Sequence, residues 1–568
     1  MNNLSKFTLT FILLSSTAAN AAMLNVPSSV NSSQVEKRFD KRQSPLASPD
    51  LNLPVPGDVG ELSAAAKKQL EENKFVLKSV AVDGATVFTD AQLKATYKNK
   101  IGETISLLDA REIAKKITDL YRKNGYILSQ AVIPAQDLKN GVLKVRVVEG
   151  FVGAVVIDGT SLSAGQKKVI QAYADKINAT RPVKTQDLER YLLLMNDLPG
   201  ATVTGLLRPS ANNVGSADLV LKVNDKAFEG AYTLDNRGSK YIGPWQHSVN
   251  IGANSLLGMY DQTQLRLNTT SPTTELRAFE LSHSELLDSE GTELSLRASH
   301  THTEPGDTLK PLQIVGDSDL YEIKVSHPFI RSRQENLVSR ISFELHNSDT
   351  NVFKDVDFTE DRLRIARVGS NYNFIDDYQG NNFFDLQVSQ GMNVFNASED
   401  GVDRTNAIGE SDFTKLNFDI SRLQGLTNQL SLLAAASSQY SFDPLLVAEQ
   451  FSVGGSEFGR AYDPAEVLGD SGIAGKLELR LDNQIGDEYL QDIQFYTYYD
   501  LGRVWLRNVP TAANDKKSIA SAGFGARTNL TDNFSGNLEV AFPLTKPASN
   551  QSGDGKDPRV FAGFTAQF

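Results

Sequence analysis

At 568 residues, with a formal net charge of −12 and no cysteine, the chain exceeds one ordinary domain and calls for two to four units. The acidic balance, with a pI near 5.2, argues against nucleic acid as a partner, and the lack of cysteine fits an exported protein that avoids disulfides. No apolar run approaches the ~20 residues of a membrane helix, but a β-barrel escapes that test because only alternate residues of its strands must be apolar.

Residues 1–21 read as an export signal: Lys6, an apolar stretch over 7–14, then Ala19-Asn20-Ala21 as a small-x-small cleavage site. Residues 22–44 are polar and carry one helix signal. Ser33-Gln34-Val35-Glu36 has the capping-box pattern, and Lys37, Arg38, Lys41 and Arg42 follow it. With no apolar stripe, such a helix is expected to be disordered or to sit somewhere wet. Residues 45–72 read as an extended linker, with Pro45, Pro49, Pro54 and Pro56 ahead of Gly57 and Gly60.

Residues 73–150 read as a βααββ unit. The expected elements are a strand over 76–82, a short helix capped by Thr89-x-x-Gln92, and a helix from about Asp109. That second helix places Ile113, Ile117, Leu120 and Tyr121 on one face and ends at Gly125. Strands over 127–133 and 142–148 complete the unit. Residues 151–225 repeat the order: a strand over 152–157, a helix capped by Ser163-x-x-Gln166, a helix carrying Leu188, Leu192 and Met195, and a strand over 219–223. Two modules of about 75 residues read as a duplication.

From 226 to 568 helical periodicity disappears and short alternating runs recur. Leu477, Leu479 and Leu481 alternate with Glu478, Arg480 and Asp482; Leu538, Val540 and Phe542 alternate with Asn537 and Glu539. One face of each strand therefore meets water and the other something apolar. A sandwich leaves edges to protect, whereas an antiparallel barrel in lipid is wet within and apolar without, and the length suits about sixteen strands. In residues 493–501, Ile493, Phe495, Tyr499 and Leu501 then face outward, so Gln494, Tyr496, Tyr498 and Asp500 face the lumen. Arg460 and Asp500 become candidates for a bidentate pair inside the barrel, a geometry that Lys matches poorly. The last strand, 560–568, puts Val560, Ala562, Phe564, Ala566 and the terminal Phe568 on one face.

Motifs in chain order carry a resemblance. They are Leu120-Tyr121-Arg122-x-x-Gly125-Tyr126, Pro134-x-Gln136 and Glu149-Gly150; then Asn196-Asp197-Leu198-Pro199-Gly200 and Leu207-Arg208-Pro209; then Asp235-Asn236-Arg237-Gly238 with Gly243. His327-Pro328-Phe329-Ile330-Arg331-Ser332-Arg333 with Asn336-Leu337, Gly459-Arg460-Ala461-Tyr462 and Tyr498-Tyr499-Asp500-Leu501-Gly502 follow. With these the chain resembles the outer-membrane transporters of two-partner secretion, the hemolysin-activator and filamentous-hemagglutinin exporters. The resemblance implies two periplasmic polypeptide-transport-associated (POTRA) domains, α+β in fold, ahead of a transmembrane antiparallel barrel. It implies that Arg460 lies at the tip of a long loop folded into the lumen, where it meets Asp500, and that an N-terminal helix plugs the resting pore. Ala461 departs from the family, which has Gly there, and a left-handed backbone at that point is expected to be harder to reach.

The implied partner is a large β-helical exoprotein, a hemolysin, adhesin or contact-dependent inhibition toxin. Its N-terminal secretion domain would be captured on an exposed strand edge, and its folding outside would drive export. The resemblance also implies that Phe568 is the targeting signal for the barrel assembly machinery, that outer-membrane lipid and lipopolysaccharide surround the barrel, and that the molecule is a monomer. Two alternatives have other consequences: an insertase of the same superfamily would carry more periplasmic modules, and a passive porin would need none. No catalytic constellation, cofactor or metal site is expected. Gly454-Gly455 lacks the Lys-Ser/Thr of a phosphate loop, and His300 and His302, which share a strand face, read as marking where their strand leaves the lipid.

Overall fold

The computed structural model describes residues 27–39, 63–159, 162–210, 215–399, 403–508, 516–549, 551 and 555–568. The expected export signal and residues 45–62 of the expected linker lie outside them. A short helix, α1 (Ser32–Phe39), precedes helix α2 (Ala64–Glu72). Helix α2 falls inside the stretch read as linker; Ser63 caps it by accepting from Ala66 N, a start signal masked by the prolines and glycines just ahead.

In the first module the expected single strand splits into β1 (Lys74–Val76) and β2 (Ser79–Asp83). Leu77 is fully buried between them, and the chain changes partner there. Strand β1 pairs with β3 (Thr104–Ser106), and β2 runs parallel to β5 (Val142–Val148). Thr89 and Gln92 close a capping box on α3 (Asp90–Ala95). Helix α4 (Leu107–Lys123) begins two residues before Asp109 because Ser106 is its cap. The backbone N–H and hydroxyl of Ser106, with Lys100, hold the Asp109 carboxyl down to about 2. Gly125, at φ +87°, turns the chain out of the helix. Strand β4 covers only Gln130–Val132. Past its end the Gln136 amide pairs with both main-chain groups of Lys144, at 2.8 and 2.7 Å, and so continues the edge as a third strand would.

Glu149 ties this module together. Its carboxylate accepts from Thr86 N (2.6 Å), Thr86 Oγ1 (2.5 Å), Val87 N (3.0 Å) and Tyr121 OH (2.6 Å). Burial alone would raise its pKa, but the bonds from Thr86, Tyr121 and Val87 outweigh it and the net shift is downward. A depressed carboxyl stabilises the fold above its unfolded value and loses that contribution as pH falls through the folded one. Glu149→Gln is expected to cost about 1–3 kcal/mol at neutral pH. It should also flatten the loss of thermal stability below about pH 4.5, measured by melting the fragment 63–225.

The second module repeats the plan with β6 (Phe151–Asp158), α5 (Ala164–Ala179), α6 (Thr185–Asn196), β7 (Ala201–Pro209) and β8 (Ser216–Asp225). Strand β7 was not expected. Gly205 and Pro209 weaken its signal, yet Val203, Gly205 and Leu207 all point into the core. The sheet orders are β2-β5-β4 and β6-β8-β7, each with its first pair parallel. The two modules thus share one topology.

The barrel begins with β9 (Phe228–Asp235), β10 (Trp245–Asn254), β11 (Gln262–Ser271), β12 (Leu276–Leu286) and β13 (Glu293–Thr303). The longest strands follow: β14 (Val315–Arg331), β15 (Glu335–Val352) and β16 (Val356–Ile375). Next come β17 (Asn381–Gly391), β18 (Thr414–Gly425) and β19 (Leu430–Ser441). A long loop carries a short ladder, β20 (Phe451–Val453) with β21 (Val467–Gly469). Strands β22 (Ser471–Gln484), β23 (Asp492–Trp505), β24 (Lys516–Thr531), β25 (Phe534–Pro543) and β26 (Arg559–Gln567) complete the cylinder. Sixteen strands close antiparallel, β26 pairing with β9. Along β23, Phe495, Tyr499 and Leu501 are exposed while Tyr496, Tyr498 and Asp500 are buried inward. The closing seam ends on Phe568, whose N–H and C=O both bond Gly230. A Cβ on Gly230 would lie 2.2 Å from the Phe568 ring, so the glycine leaves room for the terminal aromatic.

Candidate translocation pore

Two segments occupy the lumen: the loop between β19 and β22, and helix α1. The loop turns sharply at Gly454, Gly455 and Gly459, with φ of +124°, +95° and +79°. The last of these aims Arg460 at the wall. Its Nε and Nη2 donate to the two carboxylate oxygens of Asp500, each at 3.0 Å, and its backbone N–H donates to Asp500 Oδ2 at 3.1 Å. Nη1 donates to Glu478 at 2.5 Å, and the guanidinium lies over the Tyr498 ring. Arg460 is 3% exposed and Asp500 fully enclosed.

The pair belongs to a larger cluster than the motifs indicate. Glu478 also accepts from Arg480 and Arg527, each at 2.9 Å. Glu539 accepts from Tyr496, Tyr498 and Arg237. Period-two alternation put Glu478 and Glu539 on the polar faces of their strands. What it could not supply is the inter-strand register, Glu478 opposite Tyr498 and Lys476 opposite Asp500, that brings these rungs under Arg460.

Ala461 corrects the expectation of a strained tip. The left-handed residue is Gly459, and Ala461 is not among the positive-φ residues. It is fully buried with Phe458 and Tyr462, and its carbonyl accepts from Arg559. Tyr462 OH donates to Lys546 O at 3.1 Å. Gly502 serves close approach: a Cβ there would fall 2.5 Å from Val453 of β20, so the small ladder rests directly on the barrel wall.

Helix α1 lies inside the barrel, and its cap is Asn31, not Ser33. Asn31 Oδ1 accepts from Gln34 N and from the Ser33 hydroxyl. Nor is the helix without an apolar contact: Val35 and Phe39 pack against Ile242, Leu276 and Ala278. Polar anchors surround that patch. The Glu36 carboxylate accepts from Ser318 Oγ (2.7 Å) and Ser299 Oγ and lies 3.2 Å from His346 Nε2. Gln34 and Lys37 donate to the Val447 and Gln450 carbonyls of the lumenal loop, and Ser28 donates to Ala465 O. The space beside the helix is lined by charge, including Arg266, Glu280, Arg297, Arg340 and Asp385. Arg340 grips Asp385, and Arg297 and Arg266 share Glu280.

Most motif residues of the two modules sit at joints. The Gly125 carbonyl accepts from Thr185 of the second module, and the Gly150 carbonyl from Val183 N. Tyr126 lies under Lys184. A Cβ on Gly150 would stand 2.3 Å from Leu128 O. Pro134 accepts from Gln136. Leu198 is buried, and Gly200, after Pro199, has φ +74° with Lys226 O 2.3 Å from where its Cβ would be. His300 and His302 face outward on β13, but each is engaged by an acid of the next strand, Asp319 at 2.9 Å and Asp317 at 2.7 Å.

The sequence model of the family described as haemolysin secretion/activation protein ShlB/FhaC/HecB matches residues 215–528. That of the POTRA domain, ShlB-type, matches residues 75–150. The heme/hemopexin transporter protein HuxB of Haemophilus influenzae is 26% identical over 522 residues, covering 90% of each chain. The outer membrane transporter CdiB of Escherichia coli strain 536 is 23% identical over 486 residues, 83% of this chain and 79% of that one. The solved structure of CdiB from Escherichia coli superposes with a TM-score of 0.72 at 21% identity, covering 92% of this chain and 94% of that one.

Proposed function

The chain belongs to the haemolysin secretion/activation family of ShlB, FhaC and HecB and is an outer-membrane transporter of two-partner secretion; from that premise, we propose that its cargo is one large β-helical exoprotein. A hemolysin, an adhesin or a contact-dependent inhibition toxin would fit. The POTRA modules would stand in the periplasm and capture the cargo's N-terminal secretion domain unfolded. Main-chain hydrogen bonds at a free sheet edge do not depend on side-chain sequence, so strand addition suits an unfolded client. The observation that carries this reading is the state of the lumen. Two chain segments, helix α1 and the Arg460 loop, stand across it, held by ion pairs and hydrogen bonds. Withdrawing them would leave a charged, wet passage able to admit an extended polar chain.

In this reading the protein carries no enzymatic activity, and folding of the cargo outside supplies the direction of transport. Phe568 would be read by the barrel assembly machinery, and the assembled monomer would sit among lipid and lipopolysaccharide. The test is secretion. Expressing the chain with the exoprotein encoded beside it should place that exoprotein in the medium, and an unrelated porin should not replace it. An exoprotein that reaches the medium equally without the chain would defeat the proposal.

A further inference from the structure

Helix α6 touches both the first module and the barrel. At its start, Thr185 donates to the Gly125 carbonyl twice, from its N–H at 2.8 Å and its hydroxyl at 2.9 Å. Just past its end, Asp197 takes two parallel bonds from Arg331, Nε to Oδ2 and Nη2 to Oδ1, both 2.7 Å. The Arg331 side chain is fully enclosed and also donates to Asn336. Between the two ends, Arg190 reaches the carbonyls of Glu290 and Pro328. The helix therefore grips the β12–β13 turn at Glu290 and the periplasmic end of β14 at Pro328 and Arg331, and Arg331 passes the contact on to Asn336 of β15.

Those three strands are also the ones that seat the lumenal helix. Ser299 is on β13, Ser318 on β14 and His346 on β15, and these are the wall side chains around Glu36. From these contacts β14 and β15 run on to the Glu36 site, β14 with one bulge between Pro328 and Ile330, and β13 rises to it from the gripped turn. A carboxylate held by three groups on three strands depends on the stagger between those strands, because hydrogen bonds weaken steeply with distance and angle. A stiff antiparallel ladder transmits a shift at one end of a strand to the other.

We propose that Asp197 and Arg331 are positioning residues: they fix the periplasmic ends of β13–β15 and with them the seat of Glu36, so that displacing the POTRA modules loosens the lumenal helix. This rests on the reading of α1 as a plug and of the modules as the site of cargo capture. It gives the transporter a way to stay shut until a client arrives, since helix α6 is in contact with the first module as well.

The test is single-channel recording of the full chain in planar bilayers, beside the same chain lacking residues 27–39. Asp197→Asn should raise the open fraction of the full chain about tenfold, within the range typical of coupled sites. The swap Asp197→Arg with Arg331→Asp should return it toward the parent. Neither should alter the channel that lacks the helix. A full chain whose gating ignores Asp197→Asn would overturn the coupling, as would an equal effect in the helix-less channel. If Asp197→Asn fails to assemble, judged by heat-modifiable mobility, Arg331→Lys keeps the charge but breaks the paired geometry and must open the full chain in the same way. The plug reading fails separately: it falls if removing residues 27–39 leaves the parent shut.

Discussion

Replacing Arg460 with alanine is expected to lower secretion of the partner on the order of tenfold or more while the barrel still assembles. The guanidinium is shared by Asp500 and Glu478 and stacked on Tyr498, in a site from which water is excluded. Removing one partner of a buried pair typically costs about 3–5 kcal/mol, because the remaining charge is left uncompensated. At ~1.4 kcal/mol per tenfold, that is enough to lift the loop tip off the wall for most molecules. The sixteen-stranded ladder does not use this side chain, so heat-modifiable mobility should persist. Arg460→Lys should fall between, since an ammonium cannot hold both Asp500 oxygens and Glu478 in one plane. Asp500→Asn should cost less than Arg460→Ala, because Arg460 keeps Glu478. Normal export by the alanine variant would remove the pair from the mechanism.

The legibility of this site in the sequence was uneven for physical reasons. Period-two alternation is local, so it placed Asp500, Glu478 and Glu539 on inward faces without any contact being known. Which of them meets Arg460 depends on the stagger of strands far apart in the chain, and no local signal carries that. Helix α1 was read as polar and suited to water, but its seat is specific: Val35 finds an apolar patch and Glu36 finds three donors, none of which its own segment reveals. Asp197 and Arg331, one of the pairs that join the second module to the barrel, stand in separate motifs 134 positions apart, and nothing in either motif points to the other. Element existence was clearer than element ends. The Ser106 cap moved the start of α4, and a buried Leu77 divided a strand that read as continuous. Strand β7 hid behind Gly205 and Pro209, whose local cost is offset by Val203 and Leu207 in the core.

Deleting residues 26–44 is expected to convert a mostly closed channel into a mostly open one, seen as a severalfold rise in mean conductance in planar bilayers. The helix has only eight residues, too short to be stable alone in water, so its order in the lumen comes from what it touches there. Those contacts are one small apolar cluster, the Glu36 site and the donors of Gln34 and Lys37. Each is modest, and the Lys37 and Gln34 bonds go to a loop that would itself move in the proposed opening. Those contacts suffice because the helix belongs to the same chain as its site, which gives it an effective concentration of about a millimolar or more. A free peptide of residues 27–39 should therefore close the deleted channel again, but only near millimolar concentrations. Closure at nanomolar peptide would mean that the lumenal seat binds too tightly for a client to displace it. Unchanged conductance on deletion would mean that α1 does not gate the pore. Glu36→Gln in the full chain separates the anchor from the rest of the helix. It keeps the size and removes the charge facing His346, so it should open the channel part of the way.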